Sequence, residues 1–384
     1  IFEAYLEANG MGNGVANDHY VTTTNINTVT SLDVESEYIS DLTGVEDFIA
    51  LTSLNCDHNQ LSILDLSQNT ALTYLTCSDN YQLSTLELSN NIALDTLICE
   101  YTLITSLDLS QNTALTYLNC SYNELFLDVS NNTALIYLDC SFNLQLTELD
   151  LSANTALTHL SCRNIDISEL GMGQITNINI SNNINLTSLD IGGNPIASLD
   201  LSNNINLTYL FATGETMTSI DVSNNINLTH LYLTHTKLTS LDVSNNFNLT
   251  HLSIEAIDLG NFSQSLPGYG LITSLDLSNN INLIWLNCRA NQLTSLDLRN
   301  GNNINFTGIC ATINPNLYCI YLDDPIWSTA NWTGAYWHFD TQHSFSGIIN
   351  LSPITTCDTY TWDGVTYSTS GTYTNTYTNI AGCD

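Results

Sequence analysis

A phrase of 20 to 22 residues recurs from Leu61 to Arg299, and this repeat limits the fold more than any other feature of the sequence. An acidic residue marks the same place in ten copies, and Asn179 takes that place in one more. A period in this range indicates a solenoid, in which each coil packs only against its neighbours. The residues at this repeat position are Asp65, Glu87, Asp108, Asp128, Asp150, Asn179, Asp200, Asp221, Asp242, Asp276 and Asp297.

Each period contains two short phrases with the same apolar spacing. Apolar residues fall at i, i+3 and i+5, as at Leu72, Leu75 and Cys77, and the same spacing returns 11 residues later from Leu83. Alternation with polar residues over the last two positions is typical of a short strand with one face inward. Asparagine-rich turns follow, and asparagine tolerates the backbone of a tight corner. The sequence therefore predicts a mainly β solenoid of about eleven coils, with short parallel strands on both broad faces.

These phrases resemble those of a known family. The first phrase, LTYLNCSYNEL from Leu115 to Leu125, resembles the leucine-rich repeat, and the second, LDLSxN, is similar to its nested short-period (IRREKO) variety. The resemblance covers roughly residues 26–322. The sequences of the repeats and of the two end segments also resemble those of cell-surface adhesins of gliding bacteria that use type IX secretion. This resemblance implies an exported protein at the outer face of the outer membrane, with the secretion machinery among its partners.

Composition divides the chain into four segments. Residues 1–54 predict an N-terminal cap made of a short helix and an irregular first coil, and residues 55–322 form the solenoid. Residues 323–356 are rich in tryptophan and do not repeat, which predicts a C-terminal cap. Residues 357–384 predict the start of a β-rich module that we expect to continue in a longer chain, because the segment is too short to hold a core.

Two insertions interrupt the repeat without changing its register afterwards. They lie near residues 164–174 and 255–270, where the step between acidic marks rises to 29 and 34 residues. Loops on a rigid scaffold are common binding elements, but tolerated drift in a repeat array predicts the same pattern.

The charge balance excludes some partners. The net charge is −34, and the four cationic residues are Arg163, Lys237, Arg289 and Arg299. Nucleic acid is not expected as a partner because no basic surface can displace its counterions. No apolar run reaches transmembrane length, so we do not expect direct insertion into a membrane. Ile1 is not an initiator residue, and the sequence is expected to be a processed or partial product.

The 11 cysteines fall into two groups. Seven share the third apolar position of the first phrase and are expected to point inward as free thiols, because a column with parallel Cβ vectors suits neither bridging nor zinc. The other four predict two disulfides, Cys310–Cys319 and Cys357–Cys383, which suit an exported protein. The seven are Cys56, Cys77, Cys99, Cys120, Cys140, Cys162 and Cys288.

Aromatic and histidine residues dominate the outward positions of the first strand. They predict a ligand-binding face for a glycan or a protein partner, although aromatic residues also favour strands for their own stacking. Two histidines one coil apart are too few for a metal site. The candidate residues are Tyr74, Tyr117, Tyr137, His159, Tyr209, Phe211, His230, Tyr232, His251 and Trp285.

The acidic column lies on the opposite face. Stacked carboxylates repel, by roughly 1 kcal/mol per pair in water. Calcium could offset this at Asp200, Asp221 and Asp242, and hydrogen bonds from neighbouring Ser, Thr and Asn could do the same. No cofactor is required, and calcium is the one cofactor that the pattern allows.

Known catalytic motifs are absent from the sequence, and the carboxylates occupy identical environments, so no enzyme is expected. Three functions stay open. The first is an extracellular adhesion or recognition rod that binds glycan or protein. The second is a structural spacer or filament component without a specific ligand. The third is ice binding by the rank of threonines that precedes the first strand, although bulky residues flank that rank.

Overall fold

The computed structural model describes residues 1–15, 18–164, 173–214, 216–256, 270–333, 336–346, 360–362 and 365–367. Short helices lie near the two ends: α1 (Phe2–Ala8), α2 (Thr23–Ile26) and α3 (Pro325–Asn331), with 3-10 turns at Val45–Asp47 and Asn303–Asn305. None of the described helices has the length and apolar character needed to span a membrane. The strands are β1 (Ser31–Asp33), β2 (Ser53–Asn55), β3 (Ile63–Asp65), β4 (Tyr74–Thr76), β5 (Thr85–Glu87), β6 (Thr96–Ile98), β7 (Tyr117–Asn119), β8 (Tyr137–Asp139), β9 (His159–Ser161), β10 (Ser188–Asp190), β11 (Tyr209–Phe211), β12 (His230–Tyr232), β13 (His251–Ser253), β14 (Ser274–Asp276), β15 (Trp285–Asn287), β16 (Ser295–Asp297), β17 (Gly308–Cys310), β18 (Cys319–Tyr321), β19 (Trp337–His338), β20 (Ser344–Ser346), β21 (Tyr360–Trp362) and β22 (Val365–Tyr367).

One parallel sheet of 14 strands runs along the solenoid and is called the first sheet. Its order is β1-β2-β4-β6-β7-β8-β9-β10-β11-β12-β13-β15-β17-β19. The register aligns the central leucines of neighbouring coils, so that Leu118 lies between Leu97 and Leu138, and all three are fully buried. Burying these columns between stacked coils creates one continuous core. The predicted leucine-rich-repeat solenoid is confirmed.

The opposite face pairs less completely than the first sheet. Strands β3 and β5 pair in the early coils, and β14, β16, β18 and β20 form a parallel sheet in the late coils. Between them, the described backbone shows an isolated bridge from Ser106 to Phe126 and no strand on this face. The expected strands on both broad faces are therefore present at the two ends, whereas the middle coils are joined through the first sheet and through their corners.

Buried asparagines join the coils at both corners. At the first corner, Asn80 Nδ2 donates to Cys56 O of the preceding coil at 3.0 Å, and its Oδ1 accepts from Leu61 N at 3.0 Å. At the second corner, Asn225 Nδ2 donates to Asn204 O at 2.8 Å. Backbone groups at corners cannot reach strand partners, so the repeated amide side chain satisfies them. This is why the sequence places asparagine at both turns of almost every coil.

The cysteine column lies inside the solenoid. All seven members are buried and none is in a disulfide. Cys56 Sγ lies 3.4 Å from Thr76 O of the next coil, which is a weak hydrogen bond to the adjacent backbone. Burial raises the pKa of the Cys99 thiol to about 12. These thiols therefore fill the core as small apolar groups and are poor nucleophiles.

The predicted Cys310–Cys319 disulfide is wrong. Cys310 has a free thiol, whereas Cys319 is disulfide-bonded. Cys310 ends β17 of the first sheet, and Cys319 begins β18 of the opposite sheet. Both occupy outward positions, because each flanks a buried isoleucine, so their side chains leave opposite faces of the tube. Cys357 and Cys383 lie outside the described residues.

Apolar side chains close the two ends of the solenoid. Phe2 and Leu6 of α1 are buried, and the Phe2 ring lies 6.3 Å from that of Phe48. At the other end, Trp332 is buried and stacks on Trp337 at 4.9 Å. The segment predicted as a non-repeating cap also extends both sheets, because β19 pairs with β17 and β20 with β18.

The two predicted insertions lie largely outside the described residues. In the terminal segment, β21 and β22 form an antiparallel pair.

Candidate functional site

The outward positions at the start of each first-sheet strand form one row across the sheet. The register aligns Tyr117 with Tyr137 and His159, and later Tyr209 with His230, His251 and Trp285. Alternation puts their neighbours inward and leaves these rings on the surface. The structure thus places the predicted residues on one face, and their role as ligand contacts stays a prediction.

Ring stacking divides the row into two groups. The first group contains Tyr117, Tyr137 and His159, and the Tyr117 and Tyr137 rings lie 4.3 Å apart with planes 4° apart. Ser188 separates it from the second group in the register. Tyr74 stands alone, because Thr96 follows it in the row.

The second group, called the aromatic cluster, is the larger one. The Tyr232 ring lies 5.8 Å from both Tyr209 and Phe211 and 6.5 Å from Trp285, so two adjacent rows meet here. Stacked and tilted ring pairs of this kind form a firm apolar surface. Its members are Tyr209, Phe211, His230, Tyr232, His251 and Trp285.

Hydrogen bonds fix the orientation of the two histidines in this cluster. Thr229 Oγ1 donates to Thr208 O at 2.9 Å and lies 2.9 Å from His230 Nδ1. Because the threonine proton is already used, Nδ1 must be the donor and the neutral ring keeps an unprotonated Nε2. Thr250 and His251 repeat the arrangement. Desolvation lowers the pKa of both histidines, and for His251 the charge of His230 lowers it further.

A charged pair that the sequence analysis missed lies beside the cluster. Arg163 Nη1 is 3.7 Å from Asp190 Oδ2, and the Arg163 guanidinium lies 4.4 Å from the centroid of the Phe211 ring. Burial raises the pKa of Asp190 to about 6, and the hydrogen bond from Gly192 N and the charge of Arg163 oppose that rise. Arg163 is one of only four cationic residues, which was the signal in the sequence.

A second aromatic stack was also missed. Tyr101, Tyr122 and Phe142 follow the first strand in three successive coils, with ring centroids 4.0 and 4.2 Å apart. Each has a left-handed backbone, with φ of 53°, 54° and 55°, at a corner where other coils have Gly193 and Gly214. Left-handed backbone is unfavourable for bulky residues, and the stacking of the rings offsets part of that cost.

The acidic column uses its carboxylates to close turns. Asp221 Oδ1 accepts from Ser223 N at 2.9 Å, and Asp200 and Asp242 accept in the same way two residues on. The hydrogen bonds from Ser223 lower the pKa of Asp221. No group of three or more metal-binding side chains converges anywhere in the described ranges. The hydrogen bonds to Asp200, Asp221 and Asp242 agree with the hydrogen-bond explanation of the column, and calcium binding there stays a prediction.

The threonines aligned along the edge of the first sheet form hydrogen bonds within the protein. Thr187, Thr208 and Thr250 each donate the hydroxyl proton to a carbonyl of the preceding coil, at 3.0–3.1 Å. Hydroxyls that are already committed are poorly suited to order ice-like water, which weakens the ice-binding hypothesis.

This arrangement is similar to that of solved internalin structures. A structure of the functional domain of InlJ from Listeria monocytogenes, described as including a cysteine ladder, has a TM-score of 0.62 and 32% identity, covering 79% of this chain and 71% of that chain. The internalin InlF from the same species has a TM-score of 0.57 and 20% identity, covering 81% of this chain and 92% of that chain, which shows the fold alone.

A sequence match points the same way over a short stretch. Internalin J of Listeria monocytogenes serotype 4b (strain F2365) is 51% identical over 43 residues, which are 11% of this chain and 5% of that protein. The matched stretch thus spans a small part of that relative's length. No protein-family model matches the chain.

Proposed function

The chain belongs to the internalin-like leucine-rich-repeat proteins, and on this basis we propose that it is a non-catalytic surface recognition rod that binds a protein partner through the outer face of its first sheet. The aromatic cluster carries this proposal. Six aromatic or histidine rings share one region of a rigid sheet, and protein-binding surfaces are enriched in tyrosine and tryptophan at their centres. A regular sheet holds these side chains in place before binding, which lowers the entropic cost of association.

Ring geometry favours a protein over a glycan at this face. His230 and His251 lie 4.5 Å apart with planes 8° apart, so each ring covers a face of the other. Tyr117 and Tyr137 do the same at 4.3 Å. Sugars bind aromatic residues by stacking on open ring faces, and in these two pairs one face of each ring is already covered by its neighbour. Ring edges with a hydroxyl or a nitrogen suit the hydrogen bonds and apolar contacts of a protein interface.

The charge of the rod indicates the kind of protein partner. A net charge of −34 attracts cationic surfaces and speeds their association at low salt. A partner with lysine and arginine around an apolar centre would match the aromatic cluster and the net charge of the chain. We place the protein at the bacterial cell surface or outside the cell, as an internalin-like protein. Type IX export and the outer face of the outer membrane stay predictions from the sequence.

Paired substitutions in the cluster test the proposal. Serine occupies the same row at Ser53 and Ser188, so Tyr209→Ser with Trp285→Ser keeps a residue that the fold already accepts there. We expect the unmodified chain to bind members of an array of purified extracellular proteins with cationic surfaces, and the double variant to lose at least tenfold in affinity. Tyr74→Ser is the matched control, because Tyr74 belongs to the same row but not to the cluster.

Three results would contradict this function. Equal binding by the double variant and the unmodified chain would place the contact elsewhere. An absence of binding to the protein array would favour the spacer function, and cluster-dependent binding on a glycan array would assign a glycan to this face.

A further inference from the structure

A long open groove lies along one edge of the first sheet and borders the aromatic cluster. Its volume is about 960 Å³, and threonine and asparagine line most of its length. Thr187, Thr208 and Thr229 form one side, and Asn206 and Asn227 belong to the other. Each coil adds one residue to each side, at a step of roughly 4.8 Å.

Hydrogen bonds between coils use some of the donors of the groove and leave its amide oxygens open. Asn206 Nδ2 donates to Ile184 O at 3.1 Å, and Asn227 Nδ2 donates to Ile205 O at 3.1 Å. The hydroxyl of Thr208 likewise donates to Thr187 O at 3.0 Å. The described protein offers no hydrogen bond to the asparagine Oδ1 atoms, and these asparagines are exposed. Each asparagine therefore presents its Oδ1 acceptor and its second N–H to a ligand, while one N–H and the threonine hydroxyl proton are used between coils.

The groove is also uncharged in a highly acidic protein. None of its lining residues is ionisable, although the chain carries 38 acidic residues. The corner SNNINLT is the same at residues 181–187, 202–208 and 223–229, and it changes by one residue to SNNFNLT at 244–250 and to SNNINLI at 278–284. An ionic ligand would find no partner here.

An exposed apolar ridge borders the groove. Ile205 and Ile226 each keep 52% of their surface exposed, and Phe247 keeps 48%. Successive coils align these side chains into a continuous strip, and soluble proteins rarely expose such strips without an interaction to cover them. The ridge and the groove together form a surface with an apolar edge and a line of acceptors.

We propose that this groove binds a linear uncharged polysaccharide. A sugar chain supplies hydroxyl donors at every unit and apolar C–H faces between them, and one sugar unit is close in length to one coil step. Several units can therefore contact equivalent asparagines in successive coils. A protein partner is less suited, because the surface has no tyrosine, tryptophan or arginine anchor. The groove borders the aromatic cluster, because Thr229 and Thr250 line it and lie 2.9 Å from the Nδ1 atoms of His230 and His251. The inference does not depend on the function proposed for that cluster.

The chain itself provides matched variants of this site. The earlier coils have alanine where the groove has asparagine, as at Ala93, Ala114 and Ala134. The triple variant Asn206→Ala, Asn227→Ala and Asn248→Ala therefore restores a corner that already folds elsewhere in the protein. It removes three acceptors and three exposed hydrogen bonds to the preceding coil, without adding charge or bulk. The variant Tyr209→Ser with Trp285→Ser serves as the control, because it alters only the aromatic cluster.

Retention on insoluble cellulose, chitin and β-1,3-glucan tests the proposal with the full chain. We expect at least one of these solids to retain the protein equally at 0.05 and about 1 M sodium chloride, because no charge takes part. The triple alanine variant should lose at least tenfold in affinity, with unchanged thermal unfolding. The aromatic variant should be retained like the unmodified chain, whatever its effect on protein binding.

Several results would overturn the assignment. These are retention of the triple alanine variant at the level of the unmodified chain, release by salt, and no retention on any of the three solids. Thermal hysteresis of freezing that the triple variant abolishes, without retention on a polysaccharide, would assign the groove to ice instead.

Discussion

His230 and His251 stack in adjacent coils, with ring centroids 4.5 Å apart and planes 8° apart. Each ring donates Nδ1–H to the threonine that precedes it, and both are partly shielded from water. Two rings so close cannot both become cationic without repulsion. The stack is therefore built for neutral histidines.

The neutral stack predicts a loss of stability in mild acid. Desolvation lowers the pKa of both histidines in the folded chain, so the unfolded chain binds more protons below the ordinary histidine pKa of about 6.5. The stabilising contribution is complete above that pH and is lost as the pH falls through the folded pKa values. We expect the unfolding temperature to drop between pH 7.5 and 5.

A tyrosine variant isolates this contribution from other groups. The raised pKa of Asp190, about 6, acts in the opposite sense, because its folded carboxyl takes up a proton first. His230→Tyr with His251→Tyr removes the titration and keeps a residue found in the same row at Tyr209. Calorimetry should show a smaller acid-induced fall in this variant, and an equal fall would contradict the role of the stack.

Substitution of a buried asparagine should lower the free energy of unfolding much more than substitution of an exposed one. Asn80 is fully buried and bonds Cys56 O and Leu61 N, so Asn80→Ala leaves buried backbone groups without partners. We expect a loss of about 2–3 kcal/mol in the free energy of unfolding. Asn227 is exposed, and Asn227→Ala should change it by less than about 0.5 kcal/mol. Urea denaturation of both variants checks the contrast, and similar losses would show that exposure does not decide the role of these amides.

The repeat predicted more of the fold than of the site. The fixed spacing of the apolar residues predicted which leucines point inward. The repeat length then predicted that Tyr117 lies beside Tyr137, and His230 beside His251, in neighbouring coils. Orientation of the rings could not be predicted, because spacing places a side chain on a face without fixing its plane. The Tyr101–Tyr122 stack could not be predicted in this way, because it occupies corners, where the repeat indicates only asparagine-rich turns.

Partners across coils were the least predictable feature. Cys310 and Cys319 are nine residues apart in sequence, yet they end up on opposite faces of the tube, because half a coil separates them. Arg163 and Asp190 are further apart in sequence, on either side of the first insertion, yet they form an ion pair. Such pairs depend on where the chain rejoins the solenoid after an insertion or a turn. The repeat pattern of the sequence does not predict that position.

Thiol reactivity should separate the cysteine column from Cys310. The seven column thiols are buried, whereas Cys310 is only partly buried. In the native, unreduced protein, we expect a thiol reagent to react quickly with Cys310 and slowly with the column. Denaturation should expose the seven column thiols, and a much smaller increase would show that the column is bridged.

A substitution at the centre of the cysteine column tests how much its packing contributes to stability. Cys120→Ala removes a buried sulfur atom between fully packed neighbours, and we expect a loss of about 1 kcal/mol in the free energy of unfolding. Cys310→Ala, at a partly buried position, is the control and should have a smaller effect. Urea denaturation of both variants measures the difference, and an undiminished stability of Cys120→Ala would contradict a packing role.

The acidic column should respond to ionic strength and not specifically to calcium. Asp221 Oδ1 is already bonded to Ser223 N, and Asn179 accepts from Ser181 N in the same place with no charge. Electrolyte screens the repulsion between stacked carboxylates, whereas a bound ion adds a stabilisation that saturates with concentration. We expect equal unfolding temperatures in sodium and calcium chloride at matched ionic strength. Asp221→Asn with Asp242→Asn should reduce the dependence of the unfolding temperature on ionic strength, because it removes two stacked charges and keeps the turn bond. A calcium-specific rise that this double variant abolishes would instead establish a calcium site on the column.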